Sequence, residues 1–497
     1  MMTRLARKIY LWGLLGSLLL LAVYLFYSNA PNVKLETVSS SNGNRELLYS
    51  RHSEILNEDS NKESPRYVVG LNYWEQMSMA VGNMFSLSSL GKSLHCRLVE
   101  PFTYNSRLYG LPHFLSDHKW SKVKDRSLSL SDIFSINHIN TLGESYGLPH
   151  LVSFNTFINS APRPVVLIHI IHEIESREWS ISGSTEGVEL IRNLGNSYVL
   201  DCSSYRVAQS LVQMLLSSLN DEIRRGTEHF SLLRHCCVNG THETSPSELA
   251  ERCGFDPQEG PLTLLVLNWR GITGGASVHR SAKGQHKSQR LIMKHAPSYK
   301  RPRGITDPFV HSHDILKLSR DFMKQLQLVP GDYTSVHIRS EKLGQRDRRV
   351  GGFLDNCLDK AWSLATNMSR GGRLIVFSDF GPQGSDSCYS CRGGKKTRSF
   401  FEANNVTKAS FNPKLYNTRP DTGVVAAVEM EAVINSKTAI LVGGGAYERQ
   451  ILLLRGRNDN NKGVIKICWD DNGLVENYEP KLNEYNNDVN TKIIQIS

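Results

Sequence analysis

Uninterrupted apolar runs alternate along the chain with stretches of helical spacing. "RYVVGLNY" from residue 66, "CRLVEPF" (96–102), "PVVLIHII" (164–171) and "LTLLVLNW" (262–269) read as strands, and 77–94 and 205–224 as helices between them. A second series begins near residue 307. There "SHDILKLSRDFMKQLQL" is helical, "DYTSVHIR" and "RLIVFSDFG" are strand-like, and "VVAAVEMEAVINS" is again helical. "TAILVGGGA" then reads as a buried strand running into a glycine turn, and "YERQILLLRGR" as the helix after it. Strands alternating with helices predict parallel sheets flanked by helices, in two α/β units. No internal repeat relates the two.

Two stretches stand outside this pattern. Residues 9–27, "IYLWGLLGSLLLLAVYLFY", carry no charge over 19 positions and follow Arg4, Arg7 and Lys8. That length suits a hydrocarbon core of about 30 Å, and Tyr24, Phe26 and Tyr27 lie where an interfacial belt is expected. The segment predicts an uncleaved signal-anchor, with residues 1–8 cytoplasmic and the remainder lumenal or extracellular. Residues 28–65 are polar and rich in Ser and Asn, the composition of a flexible stem. The expected organisation is tail (1–8), anchor (9–27), stem (28–65), a first Rossmann-like domain (66–305) and a second (306–497). The connecting span 270–306 holds nine Lys or Arg, three His and no acidic residue. It reads equally as an exposed linker or as a positive wall on a cleft that receives an anion.

Composition narrows the partners. The 497 residues are 40% hydrophobic and carry a formal charge of +10, which favours an anion: nucleic acid, acidic glycan, anionic lipid or a phosphate-bearing substrate. A lumenal placement weighs against nucleic acid. Nine cysteines fit an oxidising compartment with several disulfides and at least one thiol left over. Sequons at Asn239, Asn367 and Asn405 are compatible with N-glycosylation there.

The motifs that would signal other chemistries are missing. The chain has no D-x-D, no P-loop, no H-E-x-x-H and no G-x-S-x-G. "CYSC", Cys388 to Cys391, has metal-ligand spacing but no second pair, and a disulfide explains it better than zinc. The expectation is therefore a site without metal or other cofactor, in which a diphosphate leaving group is neutralised by fixed cations and backbone amides. Arginine suits that task because its planar fork contacts an anion bidentately and stays charged. Arg339, at the end of the strand in "DYTSVHIRSEKLGQRDRRVGG" (332–352), sits where ligands gather at the carboxyl ends of parallel strands. His337 precedes it by two residues on the same face, and a charged, glycine-terminated loop is expected to follow. The plain alternative is that Arg339 pairs with Glu341 or Asp347 and that His337 is packed in the core.

"VHIR" followed by an acidic residue resembles the H-x-R motif of the GDP-fucose-dependent glycosyltransferases, the group of the protein O-fucosyltransferases and α1,6-fucosyltransferases. Residues 67–102, with Glu75-Gln76 in a loop between strand and helix, are similar to that group's first strand–loop–helix–strand. Residues 421–451 are similar to its closing segment of an acidic residue, a helix, a strand and a turn over the nucleotide. The three stretches follow the family's order and touch about a fifth of the chain.

The resemblance implies a GT-B fold, with two Rossmann-like domains facing a cleft and the donor, GDP-fucose, bound mainly by the second. It implies that Arg339 grips the diphosphate with help from His337, that Asp421 lies near guanine or ribose, and that Asp379 contacts the nucleoside. Gly445, Ala446 and Tyr447 would serve the phosphates. They stand where the family has a serine-serine-phenylalanine turn, and Arg449 or the glycine backbone would have to replace the lost hydroxyls. The reaction would be an inverting displacement onto a glycan or glycoprotein, with Glu75 either its general base or a helix cap. The expected protein is a Golgi type II fucosyltransferase. The rivals are a transferase of another nucleotide sugar, a sulfotransferase, for which "GLNYWEQM" is a poor phosphate loop, and a non-catalytic lumenal binding protein.

Overall fold

The computed structural model describes residues 65–496 apart from 72, 74–76, 105, 112–126, 172–184, 197–198, 224–227, 240–242, 268–271, 275–290, 294–308, 370–371, 381–391, 419, 459–462 and 470–492. The expected anchor (9–27) and stem, Glu75, most of the basic span and the C-x-x-C pair lie outside the described residues. Among the described residues no helix is long and apolar enough to cross a membrane.

Two mainly parallel sheets organise residues 64–497, which form one compact unit. The first comprises β1 (Arg66–Leu71), β2 (Arg97–Leu98), β6 (Pro164–Ile171), β7 (Val199–Asp201), β8 (Ser231–Asn239) and β10 (Leu262–Leu267), in the order β2-β1-β10-β6-β8-β7. All its pairings are parallel except β7 against β8. The hairpin β3 (Phe102–Tyr104) and β4 (Arg107–Leu108) belongs to a small separate sheet with β5 (Leu128–Ser129). Three further short strands, β9 (Glu243–Thr244), β11 (Ile272–Gly274) and β12 (Leu291–Met293), pair among themselves. The helices of this half include α1 (Met77–Ser93), α2 (Leu130–Ile133), α3 (Ile136–Ser145), α4 (Phe154–Ser160), α5 (Thr185–Asn196), α6 (Arg206–Glu222) and α7 (Pro246–Cys253).

The second sheet is wholly parallel, in the order β14-β13-β15-β16-β17. Its strands are β13 (Tyr333–Ile338), β14 (Arg373–Ser378), β15 (Thr438–Val442), β16 (Gly463–Ile467) and β17 (Ile493–Ile496). Around it run α8 (His313–Gln325), α9 (Ser340–Asp347), α10 (Phe353–Met368), α11 (Arg392–Ala403), α12 (Thr422–Ile434) and α13 (Ala446–Asn458). β13 lies between two partners and all six of its residues are buried. Its polar and apolar alternation therefore does not separate a wet face from a dry one.

The two halves share a core. One buried cluster runs from Val68, Met84 and Val266 to Phe322, Val428 and Leu441, and the segment before α8 stitches across it. His311 bridges Phe134, Ser135 N–H donates to the Val310 carbonyl and Ser312 N–H to that of Ile133. His311 also pairs with Glu431 of α12 at 2.6 Å.

The charged stretch after "VHIR" is not a loop but the helix α9. Leu343 and Gly344 turn inward, and Asp347, also buried, holds Lys396 at 3.0 Å and Arg392 at 3.3 Å on α11. Gly344 and Gly393 let the two helices touch. A Cβ on Gly393 would stand 1.9 Å from the Ser340 carbonyl oxygen, and one on Gly344 2.6 Å from the Gly393 backbone.

Candidate functional site

The carboxyl ends of β13, β14 and β15 bring together most of the residues expected to bind an anion. Arg339 lies one residue past β13 and is the N-cap position of α9. Its N–H donates to the Val442 carbonyl at the end of β15. Its side chain is 14% exposed, with Nε 3.6 Å from Asp379 Oδ2 and Nη2 3.5 Å from Glu341 Oε2. These separations exceed the ~2.7–2.9 Å of tight charge-assisted hydrogen bonds, so the guanidinium sits between two carboxylates at ion-pair distance. Asp347, the other anticipated partner, is committed to α11.

Asp379 follows β14 and does two things at once. Its Oδ1 accepts from Ser340 N–H at 2.7 Å and its Oδ2 from Glu341 N–H at 3.1 Å, so it caps the amides that open α9. Burial pushes its pKa up, and Arg339 and those amides oppose the rise. The carboxylate thus fills a helix N-terminus that would otherwise accept a phosphate.

His337 is buried, and its ring tilts against Tyr447 with centroids 4.8 Å apart. Its Nδ1 lies 3.0 Å from Glu448 Oε1. Burial pulls His337 down to about 3 and pushes Glu448 up to about 8, with Arg339 and backbone amides opposing the second shift. Burial thus favours the uncharged form of each group, and the two share one hydrogen bond. Sequence reasoning missed Glu448. The available signal was an acidic residue in the first turn of a helix that follows a glycine turn.

The turn itself needs its glycines. Gly443, Gly444 and Gly445 have φ of 109°, 73° and 143°. A Cβ on Gly443 would meet Arg339 Cβ, the Arg339 carbonyl oxygen and Leu343 Cγ, each at 3.2 Å. Ala446 opens α13, and the Tyr447 hydroxyl donates to the Ala426 carbonyl of α12 at 2.8 Å. Arg449 lies half-buried in the first turn of α13, where its N–H closes that turn on Gly445.

Asp421 is placed differently. It is the buried N-cap of α12, accepting from Gly423 N–H at 2.6 Å and Val424 N–H at 3.3 Å. The neighbouring Thr422 Oγ1 is 3.0 Å from Ser106 Oγ, which brings the β3–β4 turn of the first half to the start of this helix. Beside the site, Lys408 and Arg398 lie 5.5 and 5.7 Å from the centroid of the Phe380 ring, along a cavity of about 440 Å³ that Phe401 also lines.

The sequon residues are scattered. Asn367 on α10 and Asn405 just past α11 are exposed, whereas Asn239 ends β8 half-buried with its amide 3.5 Å from the Leu194 carbonyl. The cluster of metal-ligand type among the described residues is His169, His235 and Cys237, with donor atoms within 4.8 Å of one another. It lies in the first half, and the Cys237 sulfur is bonded to Cys202, so no thiolate is available to a metal.

No family model and no curated protein matches the chain. Among solved structures, apo POFUT1 aligns with a TM-score of 0.39 at 9% identity, over 82% of this chain and 99% of that one. POFUT1 in complex with GDP-fucose aligns at 0.37 and 9% identity, over 83% of this chain and 100% of the other. The GDP complex scores 0.34 at 11%, over 81% and 98%. At scores this low, any functional reading rests on the chain's own residues.

Proposed function

We propose that this chain is a GT-B glycosyltransferase that uses GDP-fucose, moving fucose to a glycan or glycoprotein without a metal. The carrying observation is Arg339, lodged at the carboxyl end of a central parallel strand between the glycine turn of residues 443–445 and Asp379. A diphosphate entering there meets one guanidinium, beside the His337 ring, and the amide-rich start of α13, the combination that stabilises a leaving pyrophosphate oxygen.

In this reading residues 66–305 and 306–497 are the two Rossmann-like domains, with the acceptor approaching from the first. Residues 9–27 anchor the protein in the Golgi membrane as a single-pass type II protein, with Glu75 as base or cap in the loop before α1. Arg339 neutralises the charge that develops on GDP as the acceptor oxygen bonds to the anomeric carbon with inversion and the bond from that carbon to the diphosphate breaks.

A second reading has its own support. Asp379 already occupies the amides of α9, and Asp421 those of α12, so two helix N-termini are filled by the chain itself. That favours a non-catalytic relative that binds glycan or protein. Thermal shift of residues 64–497 with GDP, UDP and adenosine 3',5'-bisphosphate separates the possibilities. Stabilisation by GDP above the other two is expected; a response to UDP alone points to another nucleotide sugar, and no response to any points to the binding protein.

A further inference from the structure

Strand β8 carries adjacent cysteines that face opposite sides of the first sheet. Cys237 packs with Leu190 and Leu194 of α5 and is bonded to Cys202 just past β7. Cys236 is 3% exposed and belongs to the main core, together with Cys253, which is 1% exposed and ends α7. Cys253 neighbours Cys236 where the end of α7 packs against β8. The end of α7 agrees with this proximity. A Cβ on Gly254, which closes α7 at φ 68°, would stand 3.1 Å from the side-chain Nε of Arg234, a β8 residue on the same strand face as Cys236.

We propose that Cys236 and Cys253 form a third disulfide in the mature protein, beside Cys202–Cys237 and Cys357–Cys468. In the folded chain both thiols are shut away from solvent, and contact with Cys236 together with burial drives the Cys253 thiol strongly upward, so neither reacts readily there. The bond therefore forms during folding, by thiol–disulfide exchange with a protein or glutathione disulfide. One cysteine, as thiolate, attacks the oxidant; the second displaces it from the mixed disulfide. Two electrons pass to the oxidant, which leaves as two thiols, and two protons are lost from the cysteines.

The result is a strand strapped on both faces, to the end of β7 on one side and to α7 on the other. Cys96, whose Sγ donates to the Leu94 carbonyl, is then the free thiol among the described residues.

The test is a peptide map of the full chain extracted with detergent from the cells that make it, its thiols blocked with an alkylating agent in denaturant before any reduction. The peptide holding Cys236 and Cys237 is expected to be joined to both the Cys202 and the Cys253 peptides. In a Cys202→Ala/Cys237→Ala variant the Cys253 link alone should persist, which assigns it to Cys236. A Cys253→Ser variant should expose one more alkylatable thiol and melt a few degrees lower. Recovery of Cys236 and Cys253 alkylated in the wild type, or of either joined to another cysteine, overturns the proposal. The wild-type map decides the matter even if both variants fail to fold.

Discussion

His337 and Glu448 make the strongest residue-scale statement, because two buried groups share one proton. Glu448 ionises near pH 4.5 when unfolded and near 8 when folded, so the folded chain keeps a proton that the unfolded chain has lost, and stability falls as pH rises through that window. His337 does the reverse between about 3 and 6.5, where the unfolded chain binds the extra proton and stability rises with pH. The two offset one another from 4.5 to 6.5, leaving a loss between 6.5 and 8 that belongs to Glu448. Glu448→Gln keeps a donor for Nδ1 and cannot ionise. Melting followed from pH 6.5 to 8 should show a steeper loss in the wild type than in the variant, and equal slopes would remove the protonated carboxyl from the account. None of this was legible beforehand. The chain announces "VHIR", but the carboxyl that pairs with the histidine lies 111 residues away.

At the scale of elements, the sequence showed strands and helices more clearly than their contacts. β13, β14, β15, α12 and α13 fall where their apolar runs predict, because buried parallel strands and the helices that cover them have little freedom in pattern. α9 was hidden by its charges: in "SEKLGQRD" only Leu343 and Gly344 advertise an inner face, and Asp347 is buried by ion pairs with a helix that periodicity alone does not bring near. Asp379 and Asp421 were legible as acidic residues at strand and helix ends, but the amides they cap became visible only in the fold. Gly393→Ala drives a methyl into the Ser340 carbonyl and should destabilise by about 1–3 kcal/mol or more in denaturant unfolding, by prising α9 from α11. Asp421→Ala removes the cap of α12 and should cost about 1–2 kcal/mol, which a change in unfolding midpoint at constant slope would register.

Over the whole molecule, the shared core and a buried arginine bind the second half together. Arg455 is 1% exposed, and burial pulls its pKa down to about 10. It donates to the carbonyls of Val433, Ile434 and Ser436 at 2.9 Å, closing the end of α12, and to those of Lys437 and Gly463 beside the neighbouring strands. Arg455→Met strands these acceptors without a donor. A loss of about 3–5 kcal/mol is expected, read as a lowered unfolding midpoint, whereas a neutral outcome would show that water replaces the guanidinium.

The central claim concerns Arg339, and its most direct measurement is a calorimetric titration of GDP into residues 64–497 in the presence of a metal chelator. Wild type should bind with the chelator present. Arg339→Ala should weaken binding at least tenfold, and Arg339→Lys should recover only part of it because a point charge cannot reproduce the fork. GDP binding that is unchanged by Arg339→Ala in a chain that melts like wild type would contradict the account.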